Sequence, residues 1–369
     1  MSFRATRLVA GARFAYVAVV QTKRTRVGIV GVSGFSGVEL LGLLADHPRF
    51  EVVAAVADRW KGETLGLRAR IDGPAANVVV APMSDALFAL AGVEVALLAT
   101  PADVSAKLVP ELVGRGLRVL DLSGAFRLGS AADYPRWYGF SHPAADLLAE
   151  ARYGLPEVAA AAGSAPRARE ARLVANPGCY ATAAIVALAP LCAAGAIEPD
   201  VFVDGKSGVT GAGRRLEERL LFTEVAENLS AYRVGSHQHA PEMELGLSRV
   251  ANRPVRVTFV PHLLPVRRGL VCTAYARLSP GVSADSVRAL YERYYEGAAR
   301  IDVASPEDVS LAGVVMTPRA RVGARADPER GSVVAIGALD NLLKGAASQA
   351  LQNLCEMVGV PLGRAGGEG

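Results

Sequence analysis

A single cysteine lies where a predicted strand, a turn and a predicted helix meet. Residues 172–175 predict the strand, 176–178 (Asn-Pro-Gly) the turn, and the Ala- and Leu-rich stretch 180–194 the helix, with Cys179 at the junction. The free N–H groups and positive end of a helix stabilise a thiolate and can hold the oxyanion of a tetrahedral intermediate. The pattern therefore predicts a nucleophile with a lowered pKa. The alternative is a small, buried cysteine.

Two histidines offer proton transfer beside such a nucleophile. His237 and His239 lie within 235–242 (GSHQHAPE), and side chains two positions apart on an extended segment share one face. Either ring can donate or accept a proton, and a polar structural turn is the alternative. A metal site with Glu242 is disfavoured, because such a site needs three or four ligands and no other clear cluster supplies them. We therefore predict no metal.

A second motif has the form of a dinucleotide-binding turn. Residues 27–30 predict a strand and 38–44 a helix, and the pattern Gly-x-x-Gly-x-x-Gly lies between them. Glycine permits close backbone approaches, and free N–H groups at a helix start favour a pyrophosphate. The alternative is an ordinary strand-to-helix turn. The turn residues that we assign to the cofactor are Gly31, Ser33, Gly34, Phe35, Ser36 and Gly37.

The segments that follow support the dinucleotide-binding interpretation. Further strands are predicted at 52–56, 95–99 and 117–121, and a helix follows Pro101. Strands that alternate with helices in this way predict a parallel sheet wound on both sides.

Two residues of opposite charge follow the second predicted strand. Asp58 there would hold an unphosphorylated ribose, whereas the cation of Arg59 suits a 2′-phosphate. Ser33, Arg59 and Lys61 could hold that phosphate together, which favours NADP over NAD. Asp58 is the residue that argues for the opposite preference.

Two glycine-containing, cationic segments each follow a predicted strand. They are 123–127 (SGAFR) and 206–214 (KSGVTGAGR), the second after a strand at 201–203. Backbone N–H groups combined with arginine form anion sites. Singly each segment is more often a tight turn, but with a placed thiol and a dinucleotide turn the two together favour an anionic substrate.

Length, composition and charge limit the classes of protein that remain. The 369 residues are enough for two domains of roughly 100–200 residues each. Hydrophobic residues make up 51% of the chain, which excludes wholesale disorder. A net charge of +4 is too small to predict nucleic acid as the main partner. No uncharged apolar run is long enough to predict a membrane span.

The cysteines indicate a reducing compartment. Their spacing fits neither a disulfide framework nor a Cys-x-x-Cys metal pair, so we expect a cytoplasmic protein. Cys192, Cys272 and Cys355 lie in apolar helix or strand patterns and are predicted to pack in the core.

Residues 1–24 are predicted to form an N-terminal arm that is flexible and lies outside the folded domains. The first acidic residue is Glu39, and six basic residues precede it: Arg4, Arg7, Arg13, Lys23, Arg24 and Arg26. Acid-poor, Arg-rich starts can be organelle transit segments, but the favoured interpretation is an extra arm or a start codon placed too early. We place the start of the folded chain near Thr25.

Seven segments in order resemble one family, the N-acetyl-γ-glutamyl-phosphate reductases of arginine biosynthesis. None of them would suffice alone, but together they are specific and cover nearly the whole chain from Val27 to Leu354. The segments are 31–37, 122–128, 153–157, 176–180, 207–214, 237–242 and 340–345.

The resemblance implies an α/β architecture with two domains. A Rossmann-type NADP-binding domain would occupy 25–178 and be completed by a C-terminal helix at 341–360. An α+β catalytic and oligomerisation domain of the semialdehyde dehydrogenase type would occupy 179–340. A homo-oligomer, either a dimer or a tetramer, is therefore expected.

The resemblance also implies roles for individual residues. Cys179 would be the nucleophile, His237 the acid/base, and Asn341 a contact of the nicotinamide end. Arg127 and Arg214 become candidates for the phosphate or carboxylate of the substrate. The substrate-binding set that we assign is Ser123, Arg127, Asn176, Arg214, His239 and Glu242.

The chemistry implied is reduction of an acyl phosphate through a thioester on Cys179, with hydride from NADPH, to give N-acetylglutamate 5-semialdehyde and phosphate. Three alternatives stay open. One is the same chemistry on aminoadipyl or aspartyl phosphate. Another is a non-enzymatic dinucleotide-binding regulator, and the third is a thiol hydrolase or acyltransferase without a cofactor.

Overall fold

Two β-sheets organise the chain. The computed structural model describes residues 23–161 and 168–363. The predicted N-terminal arm therefore lies outside the described residues, apart from Lys23 and Arg24. Within the described ranges, no helix has both the length and the apolar character that crossing a bilayer requires.

Strands alternate with helices in the first half of the chain. In order these elements are β1 (Thr25–Val30), α1 (Phe35–Ala45), β2 (Phe50–Val56), α2 (Leu65–Ala69), β3 (Val80–Ala81), α3 (Ala86–Ala89), β4 (Val95–Leu98), α4 (Ala102–Gly114), β5 (Arg118–Asp121), α5 (Tyr134–Tyr138), α6 (Ala145–Glu150), β6 (Arg152–Tyr153), α7 (Pro156–Ala161) and β7 (Leu173–Ala175).

The seven strands of this half form one parallel sheet in the order β3-β2-β1-β4-β5-β7-β6. Val27 and Ile29 of β1 pack with the α1 side of the core, whereas Val30 packs on the opposite side with α4. The predicted parallel sheet, covered on both faces, is confirmed. The strand order reverses between β1 and β4, and ligands of open α/β sheets bind outside the carboxyl ends of the strands at such a switch point.

The second half of the chain contains longer strands. In order its elements are α8 (Cys179–Ala193), β8 (Ile197–Gly208), α9 (Phe222–Val225), β9 (Ser230–Ala231), α10 (His239–Ala251), β10 (Arg256–Leu264), β11 (Leu270–Leu278), α11 (Ala284–Tyr294), β12 (Ile301–Val303), β13 (Ala320–Asp327), β14 (Ser332–Leu339) and α12 (Ser348–Val358).

The second sheet is mixed and has the order β12-β13-β14-β11-β8-β10-β9. Central strand β8 runs antiparallel to β11 and parallel to β10. Helix α8 packs against β11 and β14 and against α10, and every residue from 180 to 192 is buried. A helix that is apolar all round belongs in such a core. The expected α+β second domain is thus present.

The C-terminal segment returns to the first sheet. A π-helical turn at Leu343–Ala347 precedes α12, so the helix predicted at 341–360 begins later, at Ser348. The carboxylate of Asp340 accepts the N–H groups of Leu342 and Leu343 and thereby holds the chain in this turn. Apolar side chains of α12 then join the core formed around α1.

A buried ion pair helps to fix this return. The ammonium group of Lys344 pairs with Glu157 of α7 and donates to Gln349 of α12 at 2.6 Å. Both charged side chains are almost fully buried. Because a buried charge without a partner is costly, the pair requires that α7 and the π-helical turn keep this arrangement.

One predicted boundary is wrong. The cationic segment 206–214 was expected to follow a strand ending near Val203, but β8 continues to Gly208. Lys206 and Ser207 pair with Val271 and Leu270 of β11, which extends the strand. The glycine-rich turn therefore starts only at Val209, as a short 3₁₀ helix.

Candidate active site

A cleft of about 850 Å³ opens at the switch point of the first sheet, and the second half of the chain forms its opposite wall. The lining comes from the start of α1, the residues after β4, the start of α8, the 3₁₀ turn after β8 and the segment before α10. The predicted dinucleotide turn and Cys179 therefore share one cavity.

The turn between β1 and α1 depends on glycine at position 31. Gly31 has a φ of +85°, and a Cβ there would lie 2.3 Å from the carbonyl oxygen of Ala99. No side chain within the described residues caps the start of α1, which leaves its first N–H groups free for a ligand. Of the predicted cofactor residues in this turn, Gly34, Phe35 and Ser36 line the cleft, whereas Gly31, Ser33 and Gly37 do not.

Arg59 lies in a short 3₁₀ turn directly after β2, exposed and outside the cleft lining. Neighbouring Asp58 is directed elsewhere, since its Oδ1 accepts the N–H of Met83 at 2.9 Å. The carboxylate of Asp58, which argues against NADP, is therefore partly occupied by a backbone N–H group.

Cys179 is the first residue of α8 and faces the cleft. The π-helical turn packs directly against it, and a Cβ at Gly345 would lie only 2.7 Å from the Cys179 Cβ. The motif at 340–345 therefore forms the wall behind the thiol. Cys192, Cys272 and Cys355 are buried, as predicted.

The pKa of Cys179 moves opposite to the expected direction. Burial raises the pKa of the thiol to about 11, although the positive charge of Arg127 and the N–H of Tyr180 both lower it. The helix start thus stabilises the thiolate as expected, but desolvation of the charge is larger. Without ligand, Cys179 is a protonated thiol.

A buried carboxylate holds the turn before Cys179. Glu242 Oε1 accepts the N–H of Gly178 and the hydroxyl of Tyr153, each at 2.8 Å. Its other oxygen lies 3.4 Å from Arg127 Nη1. Arg127 in turn donates to the carbonyl oxygens of Asn176 at 2.8 Å and Leu122 at 2.7 Å.

This geometry does not support the predicted substrate contacts of Ser123, Asn176 and Glu242, because none of the three lines the cleft. Ser123 bonds to Asp121, and the side-chain amide of Asn176 bonds to the Ala346 carbonyl and to Asn353. Arg127 reaches the cleft, but its donors are engaged by protein groups. These residues position the turn that carries Cys179.

His237 and His239 both line the cleft, with ring centroids 4.8 Å apart. His237 Nδ1 accepts the backbone N–H of His239 at 3.1 Å, so the neutral ring carries its proton on Nε2. Burial, with His239 and Arg233 nearby, lowers the pKa of His237 to about 2. Resting His237 is therefore a neutral donor.

His239 belongs to the network beneath the thiol. Its Nε2 lies 3.4 Å from Arg127 Nη1 and 4.0 Å from Glu242 Oε2, and its buried Nδ1 has no hydrogen-bond partner in the described part of the chain. Among the described residues, no group of three or more His, Cys, Asp or Glu side chains is arranged to hold a metal.

Two residues that were predicted to bind ligands, Arg214 and Asn341, make contacts with the protein itself. Arg214 lines the cleft, but its guanidinium lies over the ring of Phe35, 4.2 Å from the centroid, at the start of α1. It therefore lies at the dinucleotide turn. Asn341 lines the cleft, with its amide bonded to Thr210 and to the N–H of Gly269.

Comparison with known proteins assigns the fold and the family. Residues 26–164 match the model for the semialdehyde dehydrogenase NAD-binding domain, and residues 179–341 match the model for its dimerisation domain. An N-acetyl-gamma-glutamyl-phosphate reductase from Symbiobacterium thermophilum is 40% identical over 91% of this chain and 95% of its own. One from Laribacter hongkongensis is 41% identical over 91% and 96%.

The chain belongs to the N-acetyl-gamma-glutamyl-phosphate reductase family. The resemblance drawn from seven short segments is confirmed, and with it the class of enzyme, an oxidoreductase with an NAD(P)-binding domain.

Solved structures of more distant proteins share the fold of this reductase-family chain. Aspartate semialdehyde dehydrogenase II from Vibrio cholerae superposes with a TM-score of 0.69 at 20% identity, over 91% of this chain and 99% of that one. Aspartate semialdehyde dehydrogenase with NADP from Candida albicans gives 0.67 at 15% identity, over 92% and 99%. The expected fold class is confirmed.

Sequence reasoning missed four residues around the thiol. Tyr180, Tyr232, Arg219 and Arg233 all line the cleft in this member of the family. The ring of Tyr180 meets that of His237 edge-on at 5.7 Å, and Arg219 lies 5.4 Å from the Tyr232 ring centroid. Arg233 has a left-handed φ of 48°. Tyr180 follows Cys179 within the matched segment 176–180, and Arg233 lies close to His237 in the sequence, but nothing in the sequence singled out Arg219 or Tyr232.

We expect the free enzyme to show the raised pKa of Cys179 directly. Iodoacetamide reacts with thiolate, so alkylation of Cys179 should become about tenfold faster per pH unit from pH 7 to pH 10. Mass spectrometry of the alkylated peptide measures the rate, and Cys179→Ser gives the background from the three buried cysteines. A plateau near pH 7 would show instead that the helix start outweighs burial.

Proposed function

We propose that this chain reduces N-acetyl-γ-glutamyl phosphate to N-acetylglutamate 5-semialdehyde and phosphate in arginine biosynthesis, with NADPH and a thioester on Cys179. The observation that carries the proposal is the shared cleft, in which a thiol at a helix start faces a dinucleotide turn in a chain of this family. Four free thiols suit the reducing cytoplasm, where we place the enzyme.

The residues at the switch point fit the cofactor. The uncapped N–H groups at the start of α1 suit a pyrophosphate, and Gly31 lets the backbone pass close to β4. Gly34, Phe35 and Ser36 would contact the bound dinucleotide, and Asn341 lines the same cleft. When bound, the reduced nicotinamide supplies a hydride.

Cys179 forms the bond to substrate. Its sulfur attacks the acyl carbon, the C–O bond to the phosphoryl group breaks, and the thiol proton passes to the departing phosphate. Because the departing phosphate takes this proton, Cys179 need not be ionised before the substrate binds. The raised pKa of Cys179 is therefore compatible with its role as nucleophile. The N–H groups at the start of α8 can stabilise the oxygen that becomes negative.

His237 acts on the acyl oxygen of the substrate, which becomes negative in the tetrahedral intermediate. Because its Nδ1 accepts a backbone N–H, the Nε2–H is the group available for donation to the tetrahedral oxygen. Once the acyl carbon is reduced, the carbon–sulfur bond breaks, the aldehyde leaves, and the released Cys179 thiolate takes a proton from water. The pKa of about 2 keeps the ring neutral at working pH, which preserves this donor.

We assign the anionic groups of the substrate to Arg219 and Arg233. Both line the cleft, whereas Arg127 is engaged by carbonyl oxygens and Arg214 lies at the dinucleotide turn. Arg219 uses its Nε for Glu217 Oε2 at 2.7 Å, which leaves its Nη groups for a ligand. The Nη1 of Arg233 donates to Gln238 Oε1 at 2.7 Å, which leaves further donors for a carboxylate or phosphate.

We also propose that two copies associate through the open face of the second sheet. One face of that sheet packs on α8, while on the other Phe202 and Tyr275 are cross-strand neighbours, 56% and 47% exposed. Val334, the partner of Tyr275 on β14, continues the apolar strip. The match to a dimerisation domain over this half supports a second copy as the occupant.

The reverse reaction tests the function. N-acetylglutamate semialdehyde should reduce NADP only when phosphate is present, and Cys179→Ser should abolish turnover while NADP still binds, because serine is hardly ionised and forms an ester. Retention of more than about a tenth of the rate, roughly 1.4 kcal/mol of barrier, would rule out the thioester.

Two other aldehydes serve as specificity controls in that assay. If aminoadipate or aspartate semialdehyde is turned over faster than N-acetylglutamate semialdehyde, the enzyme performs the same chemistry on a different substrate. No thiol-dependent turnover of any of the three would favour a binding protein.

The two histidines should differ in their effect. His237→Asn keeps an oxygen that can accept the His239 N–H but removes Nε2, so kcat should fall by a factor on the order of 10² to 10⁴. His239→Asn should cost less, because that ring lies in the network beneath the thiol. A larger loss for His239→Asn than for His237→Asn would reverse the assignment.

A charge on the open sheet face should weaken self-association. Phe202→Glu should raise the dissociation constant of the oligomer at least about tenfold, since it removes buried apolar area and introduces a charge. Sedimentation velocity measures this, with Phe88→Glu as the matched control, because Phe88 is an 85% exposed phenylalanine on the first half. An unchanged oligomer in Phe202→Glu would show that this face is not the interface.

A further inference from the structure

A second cavity, of about 760 Å³, lies at the opposite end of α8 from Cys179. Its lining comes from the start of α7, the end of α8, the end of α11 with the residues that follow it, and Gln352 of α12. Helix α8 has 15 residues and rises about 1.5 Å per residue, so roughly 20 Å separates this cavity from the thiol. No described residue lines both this cavity and the cleft. The second cavity is therefore separate from the active site.

One buried carboxylate oxygen in the second cavity lacks a partner. Glu157 lines the cavity and is only 7% exposed. Its Oε1 accepts from Lys344, whereas its buried Oε2 has no hydrogen-bond partner among the described residues. Although burial opposes ionisation, the charge of Lys344 lowers the pKa of Glu157, and the nearby Gln352 amide also does so without hydrogen-bond geometry to Oε2. Glu157 is thus a carboxylate with one oxygen open to a donor.

A second buried polar atom in the same cavity is also without a partner. Tyr294, the last residue of α11, lines the cavity, and its hydroxyl oxygen makes no hydrogen bond within residues 23–161 and 168–363. Burial raises the pKa of Tyr294 to about 12, so the hydroxyl keeps its proton and can donate it to a ligand. Buried polar atoms normally have partners, and two such atoms in one cavity indicate an occupant that supplies them.

The charges of the second cavity indicate the chemistry of that occupant. Glu157 and Glu296 bring carboxylates to the lining, and Arg293 and Arg300 bring guanidinium groups. Glu157 is buried, whereas Arg293 is exposed on the last turn of α11, so the open carboxylate lies deep and a cation lies nearer to solvent. Leu290 and the alanines at the end of α8 add apolar surface. A molecule with an ammonium group, a short hydrocarbon chain and a carboxylate matches this lining.

We propose that the second cavity binds a small straight-chain amino acid, with its ammonium group on Glu157 Oε2 and its carboxylate on Arg293 and the Tyr294 hydroxyl. This site is additional to the reductase site and takes no part in hydride or acyl transfer. Lys344, the other partner of Glu157, directly precedes Gly345, which packs against Cys179. A bound amino acid therefore lies one ion pair away from the wall behind the thiol.

A series of amino acids that differ in chain length tests the site. The straight-chain ω-amino acids from glycine to 6-aminohexanoate present the same two end groups at increasing separation, and ligand-observed NMR measures their binding without turnover. At least one should bind the wild type with a Kd below about 1 mM. The alkylamine and the carboxylic acid of the same chain length should each bind at least about tenfold more weakly, because each lacks one charge-assisted contact.

Two variants place that binding in the second cavity. Arg293→Ala should weaken binding of the best amino acid about tenfold, and Tyr294→Phe, which keeps the ring, should weaken it several-fold. Arg288→Ala is the matched control, because Arg288 is an exposed arginine of the same helix that lies outside this cavity and pairs with Glu292. It should bind as the wild type does. These variants carry the test in place of Glu157→Gln, which would also remove the partner of buried Lys344.

Two results would overturn the proposal. One is the absence of binding across the whole series, which would leave water as the occupant of the cavity. The other is binding that Arg293→Ala and Tyr294→Phe both leave unchanged, which would place the amino acid elsewhere on the protein. Neither result bears on the reductase activity, because the assay contains no substrate and follows no reaction.

Discussion

The buried carboxylate of Glu242 is the group on which the geometry of the cleft depends. It is 1% exposed, and it joins the turn before Cys179, the strand that carries Tyr153, and Arg127. A buried carboxylate without compensation costs several kcal/mol, so Arg127 must accompany it, and Arg127 in turn needs the Asn176 and Leu122 carbonyls. One ion pair thus fixes three segments around the thiol.

The same pair explains why the thiol is not ionised at rest. Arg127 lowers the pKa of Cys179 and Glu242 raises it, so the two charges partly cancel at the sulfur and burial decides the outcome. The Arg127–Glu242 pair therefore fixes the position of Cys179 but does not ionise its thiol. Activation is left to groups that arrive with the substrate, together with the N–H groups at the start of α8.

Local sequence was enough for the features that depend on a few neighbouring residues. The turn at Gly31 and the place of Cys179 at a helix start follow from adjacent strand and helix patterns, and the parallel order of the first sheet follows from their alternation. Local sequence did not predict the positioning roles of Arg127 and Glu242. Their charges suggested ligands, and only the folded chain shows that their hydrogen-bonding groups are already occupied.

The two walls of the cleft are held together beside the dinucleotide turn. Arg268 pairs with Glu39 of α1 at 2.8 Å and with Asp340 at 3.0 Å, next to Asn341 and the π-helical turn behind Cys179. A shift of α1 relative to the second sheet would break the first of these pairs. Because Arg268 is largely buried, its charge would then be balanced by Asp340 alone. The distance between the dinucleotide turn and the thiol is therefore set by the protein itself, before either ligand binds.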